Sequence, residues 1–183
     1  LATYEQYLPS LDLKRRQLLV ERRRTRDALT TVESRRQALM DSIAPDLPML
    51  ANLRVTVDDL VGVEGLRIDA ENIVGVSVPV LGDLRLRTAS YGLLTRPHWV
   101  DRVVERLQEA IRLSVEQRVL SERLRRLEEA LRIVTQRVNL FEKVLIPETR
   151  SEIARIGIAL QDAERAGVIR AKVAKRKAGT AGE

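Results

Sequence analysis

Residues 120–147 read LSERLRRLEEALRIVTQRVNLFEKVLIP, and the fold turns on how that stretch is spaced. Leu120, Leu124, Leu127, Leu131, Val134, Val138, Phe141 and Leu145 recur at alternating steps of four and three. Of the 18 positions between them, only Ala130, Ile133, Leu140 and Val144 are apolar. An apolar residue every 3.5 positions on average is the seam of a coiled coil, in which one narrow stripe faces a partner helix. The run belongs to a stretch of 49 residues, 98–146, that contains neither Gly nor Pro. Ordinary helices average ~11–12 residues, so a stretch of this length points to a coiled coil or a helical spacer.

A second breaker-free stretch of 35 residues covers positions 10–44. The same ladder runs there through Leu1, Tyr4, Leu8, Leu11, Arg15, Leu18, Arg22, Thr25, Leu29, Val32, Arg36, Leu39 and Ile43. Arg15, Arg22 and Arg36 weaken it without breaking it, because a long Arg stem covers apolar surface while its guanidinium stays wet. Between the two arms, residues 45–97 hold five of the nine glycines and four of the six prolines. That concentration marks where the backbone turns. The arms are therefore expected to fold back on each other as an antiparallel pair. Each buried seam Leu would contribute roughly 1.5–3 kcal/mol. The expected seam residues are Leu11, Leu18, Leu29, Val32 and Leu39 on one side. Leu120, Leu124, Leu127, Leu131, Val134, Val138, Phe141 and Leu145 form the other.

The expected organisation is a helix over 1–45, a middle segment with a short helix and a β-hairpin over 46–96, a second helix over 97–178 and a frayed tail over 179–183. Thr95-Arg96-Pro97 reads as the start of the second helix, with Pro in the first turn. In the middle, Leu66-Arg67-Ile68-Asp69 and Val74-Gly75-Val76-Ser77-Val78 read as two short strands. Ala70 to Ile73 is the expected turn, and Pro79 ends the second strand or puts it on an edge. Pro147 frees the carbonyl of Lys143 and should kink or locally unwind the second helix. Beyond it the apolar ladder resumes out of phase at Ile153, Ile156, Leu160 and Ala163.

Composition removes many functions. The chain has 183 residues, 32 of them Lys or Arg and 26 Asp or Glu, giving a formal charge of +6. It has no Cys, which excludes disulfides, thiol catalysis and Cys-based zinc sites and fits a reducing compartment. No apolar run approaches the roughly 18 residues that a membrane span requires. The chain opens on Leu1-Ala2-Thr3, with neither Met nor a signal-peptide pattern, and is expected to start inside a longer protein.

Chemistry is sparse. No phosphate-binding loop is present, since no Gly stands in the G-x-x-x-x-G-K-[ST] spacing. The single histidine, His98, cannot assemble a metal site and reads as helix-start packing or a wet surface position. Gly62-Val63-Glu64-Gly65 fits the G-x-x-G of an RNA-binding loop, but without that module's companion elements it reads as a turn. Asp58-Asp59 and Glu128-Glu129 point different ways on a helix and make poor paired-carboxylate sites. No enzyme, cofactor or metal is expected.

Two basic clusters remain. Residues 14–26 carry Lys14, Arg15, Arg16, Arg22, Arg23, Arg24 and Arg26 against Glu21. Residues 165–177 carry Arg165, Arg170, Lys172, Lys175, Arg176 and Lys177 with no acid at all. Half the weight goes to a solvated helix face. Nucleic-acid binding is the obvious functional reading of clustered cations, yet five aromatics in all leave little to stack bases. A membrane surface would need a broader apolar face than this seam. In an antiparallel pair the two clusters lie toward the same end, which suits insertion into an acidic protein bore.

Three runs carry a family resemblance. Gln136-Arg137-Val138-Asn139-Leu140-Phe141-Glu142-Lys143-Val144-Leu145-Ile146-Pro147 resembles the R-V-N-x-[LF]-E-x-x-L-I-P signature of the D subunits of the V/A-type rotary ATPases. Glu71 to Pro79 resembles that family's E-N-I-x-G-V-x-V-P stretch, and Leu13-Lys14-Arg15-Arg16-Gln17-Leu18-Leu19 resembles its first-helix segment. Trp99 after Pro97 fits the bacterial members. The match spans nearly the whole chain in order, although the family's first N-terminal turns are missing before Leu1.

The resemblance implies a non-catalytic central-stalk rotor protein, a long antiparallel coiled coil whose termini enter the hexamer of nucleotide-binding A and B subunits. Its middle would meet the small F subunit of the stalk and the rotor-ring adaptor, the C subunit (d in eukaryotes). It would transmit torque between that hexamer and the ion-translocating ring, coupling proton or sodium transport to ATP synthesis or hydrolysis. The complex would be cytoplasmic and peripheral to the membrane, without direct insertion of this chain and without nucleic acid. Hexamer contact is expected at Arg15, Arg16, Arg22, Arg23, Arg170, Lys172, Lys175 and Arg176. The hairpin around Glu71 to Pro79 would modulate activity, and the flank of the second arm would hold the F subunit. The alternative is a basic coiled-coil nucleic-acid-binding or scaffolding protein.

Overall fold

The computed structural model describes residues 1–43, 60–88 and 99–180, with side chains for 1–43, 60–88 and 101–175. Helix α1 spans Ala2–Ile43, strands β1 and β2 span Val61–Ile73 and Val76–Thr88, and helix α2 spans Trp99–Leu140. A π-helical turn over Phe141–Leu145 then leads into α3, Ile146–Thr180. The protein is thus mainly α, a two-helix antiparallel coiled coil with a β-hairpin between its arms. His98, Asp58-Asp59, the Thr95-Arg96-Pro97 helix start and the expected short helix lie outside the described residues. The chain divides into two compact units, residues 14–133 and residues 1–13 with 134–183.

In the unit 14–133, α1 and α2 run antiparallel. Arg26 pairs with Glu128 at 3.0 Å, and Gln117 donates to Glu33 at 3.3 Å. Val32 and Leu39 pack with Leu113 further back along α2, flanked by Ile43, Ala110 and Leu120. As the residue number rises in α1, the partner's falls in α2. Leu18, Thr25, Val32 and Leu39 are the buried residues of α1, at steps of seven, as a stripe on one helical face demands. Leu29 is half-buried between them.

On α2, Leu127 and Leu131 are buried and Leu120 and Leu124 half-buried, whereas Ile133, off the ladder, is 38% exposed. The unit 1–13 with 134–183 brings the start of α1 against the end of α2, the π turn and the start of α3. Val134, Val138 and Ile146 are buried there, while Leu11, Phe141 and Leu145 are half-buried. Tyr4 meets Phe141 edge-to-face at 5.5 Å, and Arg150 pairs with Glu5 at 2.7 Å. Helix α1 runs through Pro9 without ending. Beside it, the Ser10 hydroxyl donates to the Tyr7 carbonyl at 2.8 Å, so one carbonyl near the proline gains a side-chain donor.

The seam changes phase before Pro147, and the π turn shows how. The Ile146 backbone N–H donates to the carbonyl of Phe141, five residues back rather than four. Proline has no N–H for the Lys143 carbonyl, and its ring crowds that carbonyl in regular helix. Widening the preceding turn by one residue relieves the crowding. One extra residue also advances the face by about 100°. Continued without interruption from Leu145, the ladder would reach Glu148 and Glu152, and both are exposed. Instead Ile146 is buried and Thr149 half-buried. The ladder has skipped one residue.

The hairpin corrects the sequence reading in three places. Each strand has 13 residues rather than four or five, and the turn is Val74-Gly75, not Ala70 to Ile73. Val74 and Gly75 have φ of 52° and 80°, both in the left-handed region that a two-residue hairpin turn with right-handed strand twist requires. Asn72 serves the turn from outside it, its side-chain oxygen accepting the Gly75 N–H at 2.8 Å. The Gly62 to Gly65 run, expected as a turn, lies inside β1, where the register shifts between Val63 and Gly65 as in a bulge. Pro79 sits within β2 opposite Ala70, which a two-stranded sheet tolerates because every strand in it is an edge.

Candidate functional site

Helix α2 carries a second contact stripe besides its seam. Val104, Gln108, Val119, Arg123 and Arg126 fall within about 100° of one another around the helix at 3.6 residues per turn. Val104 packs with Leu60, Val61 and Leu107. Gln108 donates to the Thr88 hydroxyl at 2.8 Å. Arg123 pairs with Glu71 at 2.8 Å, and Arg126 donates to the Ser77 carbonyl at 3.2 Å. The hairpin is therefore held along α2 from its base to its tip, with Val78 wholly buried and Ile73 nearly so.

The charges on α2 are organised locally. Arg125 and Arg126 both donate to Glu122 at 2.8 Å and hold its carboxyl well below the usual range, at about 2. Arg132 lowers Glu129 in the same way. Glu128 and Glu129 indeed look in different directions, one to Arg26 of α1 and one to Arg132 of its own helix. Exposed pairs of this sort contribute little to stability individually and serve to set side-chain directions.

The basic residues expected at the hexamer are divided between the units. In 14–133, Arg16 and Arg23 are exposed, while Arg15 and Arg22 are half-buried at seam positions. Arg22 Nε is buried and has no hydrogen-bond partner among the described residues. Arg16 and Arg24 line a surface groove with Gln17, Val20, Glu21 and the hairpin tip, Glu71 to Val74. In the other unit, Arg170, Lys172 and Lys175 are exposed on α3, and Arg176 belongs to the same helix.

That helix is bare. Between residues 151 and 175 only Gly157 and Gly167 are half-buried, and every other side chain is exposed. Ile153, Ile156, Ile158, Leu160, Val168, Ile169 and Val173 are 45–62% exposed. Among the described residues no group of His, Cys, Asp or Glu could hold a metal ion, and no helix is long and apolar enough to cross a membrane.

The amino-acid sequence that folds this way has relatives. The family model described as the D subunit of ATP synthase matches residues 1–176. The chain belongs to the ATP synthase D-subunit family. The V-type ATP synthase D subunit of Chlamydia caviae is 38% identical over 181 residues, covering 97% of this chain and 86% of that protein. The Borreliella burgdorferi protein of the same name is 32% identical over 175 residues, covering 96% and 86%. That of Chlamydia trachomatis serovar L2 is 35% identical over 176 residues, covering 93% and 85%. Membership of the D-subunit family makes the chain a stalk component of a rotary ATPase and disfavours the nucleic-acid-binding alternative.

Sequence reasoning missed the α2 stripe toward the hairpin. Two of its five residues are Arg, which in a single sequence look like any solvated positions. Glu71 and Arg123 lie 52 positions apart, too far for any local spacing rule to join them.

Proposed function

We propose that this D-family protein is the turning shaft itself, non-catalytic, passing torque between a nucleotide-binding hexamer and a membrane ion-translocating ring. The observation that carries the reading is α3. Its exposed aliphatic residues, together with Arg170, Lys172 and Lys175, make a surface that monomeric proteins rarely leave uncovered. A bore lined by apolar and acidic groups would cover it. Small residues there, Ala154, Gly157, Ala159, Ala163, Ala166, Gly167, Ala171 and Ala174, keep the helix narrow enough to turn inside such a bore. Arg15, Arg16, Arg22 and Arg23 would add contacts to the A and B subunits of the hexamer, with Arg176 joining the α3 group. An uneven charge distribution would make each orientation favour a different state of the successive interfaces, and differential binding is what shifts such equilibria.

In this reading, residues 1–45 and 97–178 are the shaft arms and 46–96 the middle segment, facing the F subunit of the stalk and the C-type (d) adaptor. The complex would be cytoplasmic and peripheral to the membrane. Co-expression with the A, B and F subunits tests it. Full-length chain is expected to co-purify with all three, and removal of residues 165–183 to cut hexamer recovery at least tenfold, about 1.4 kcal/mol of binding. Undiminished hexamer recovery by the truncated chain would refute the assignment of α3 to the bore.

A further inference from the structure

We propose that the hairpin tip is a strap that ties α1 to α2 through Arg123, at the level where their apolar seam is thinnest. The inference rests on residues 14–133 alone and is independent of the rotary reading. Arg123 reaches two elements at once: its Nη1 lies 2.8 Å from Glu71 of β1 and its Nη2 lies 3.9 Å from Glu21 of α1. Its side chain is only 16% exposed, although it is an Arg on the outer part of a two-helix pair. Glu21 is itself oriented by Arg24 at 2.8 Å. One helical turn along, Arg126, aligned by Glu122, donates to the Ser77 carbonyl of β2. The tip thus meets α2 through both strands.

It meets α1 as well. A Cβ on Gly75 would lie 3.4 Å from Lys14 Nζ, and Glu71 to Val74 share a groove with Arg16, Gln17, Val20, Glu21 and Arg24. This is the part of α1 whose seam positions are filled by Arg15, Leu18, Arg22 and Thr25, so a single buried aliphatic, Leu18, serves three turns. Further along, Val32 and Leu39 pack against Leu113, with Ile43, Ala110 and Leu120 beside them. Where apolar burial is scarce, an ionic crossing supplies the missing tie. A planar guanidinium presents five donors in a rigid fork that can hold two carboxylates in fixed directions, whereas a lysine ammonium is a compact, strongly hydrated charge on a flexible stem. Arg123 is a positioning residue in this sense.

Hydrogen exchange measured by mass spectrometry on the full chain tests the strap, with circular dichroism confirming helix content for each variant. Glu71→Gln and Arg123→Lys are each expected to speed exchange about three- to tenfold in residues 71–80 and in residues 14–26, leaving 32–43 unchanged. Arg132→Gln, which breaks a pair internal to α2, is expected to change none of these segments. Acceleration confined to the tip would overturn the proposal, as would no acceleration, or a uniform rise over every segment. Full protection retained by Arg123→Lys would show that bridging plays no part.

Discussion

Gly75 closes the hairpin at a φ of 80°, with open space around it apart from Lys14 Nζ. Its cost of replacement is therefore conformational rather than steric. Gly75→Ala is expected to destabilise the chain by about 1–2 kcal/mol in urea unfolding, the ordinary penalty for a side chain in the left-handed region. Its neighbour Val74, β-branched at 52°, already bears such strain. At the seam, Leu127 is fully buried while Ile133 is 38% exposed. Leu127→Ala should cost about 2–5 kcal/mol and Ile133→Ala about 0.5 or less, read as separate shifts of the unfolding midpoint. Equal losses at the two positions would mean that the seam is not where burial occurs.

Glu122 gives a residue-scale pH signature. Arg125 and then Arg126 hold its folded-state carboxyl at about 2, below the ordinary value of 4.5. A group with a depressed folded value stabilises the fold fully above its unfolded value and loses that contribution as the pH falls through the folded one. Glu129, lowered by Arg132, acts with the same sign. Glu122→Gln should therefore flatten the fall in stability between pH 4.5 and about 2, measured by denaturant titration at each pH. A fall as steep as the parent's would contradict the pairing.

At the scale of elements, the π turn sets which face of α3 continues the seam. Deleting Val144 removes the extra residue of that turn and should leave a regular helix in which Ile146 and Thr149 follow Phe141 at the ladder's own steps of four and three. Helix content by circular dichroism should hold and Ile146 should stay in the buried stripe, while thermal stability falls because the Pro147 ring again crowds the carbonyl four residues back. Unchanged stability would show that the wide turn does not relieve the proline. The skip was half legible in advance: the ladder's break after Leu145 and the proline were both visible, but the device that reconciles them is a backbone hydrogen-bond shift with no residue type of its own. The hairpin misled for a related reason. Asn72 and Glu71 look like turn formers by composition, yet Asn72 acts by accepting the Gly75 N–H from a strand position. Strand length was hidden too, because Gly62, Gly65, Pro79 and Gly82 all punctuate a ribbon that accommodates them at its edges and bulge.

For the molecule as a whole, a 3.5-residue repeat is a local property and survives in a single sequence, which is why the antiparallel coiled coil could be read directly. Long-range polar contacts leave no such trace, and Arg123 with Glu71 and Glu21 went unread. The basic clusters were visible as charge but not as partners, since a cation's counterpart lies on another surface. The most direct test of the shaft reading uses the absence of cysteine from the chain. A single Arg118→Cys substitution at an exposed position of α2 allows one bead to be attached to the assembled complex. With the hexamer fixed to a surface and ATP supplied, the bead is expected to rotate continuously in one direction. A bead that stays still while ATP is hydrolysed would contradict the account.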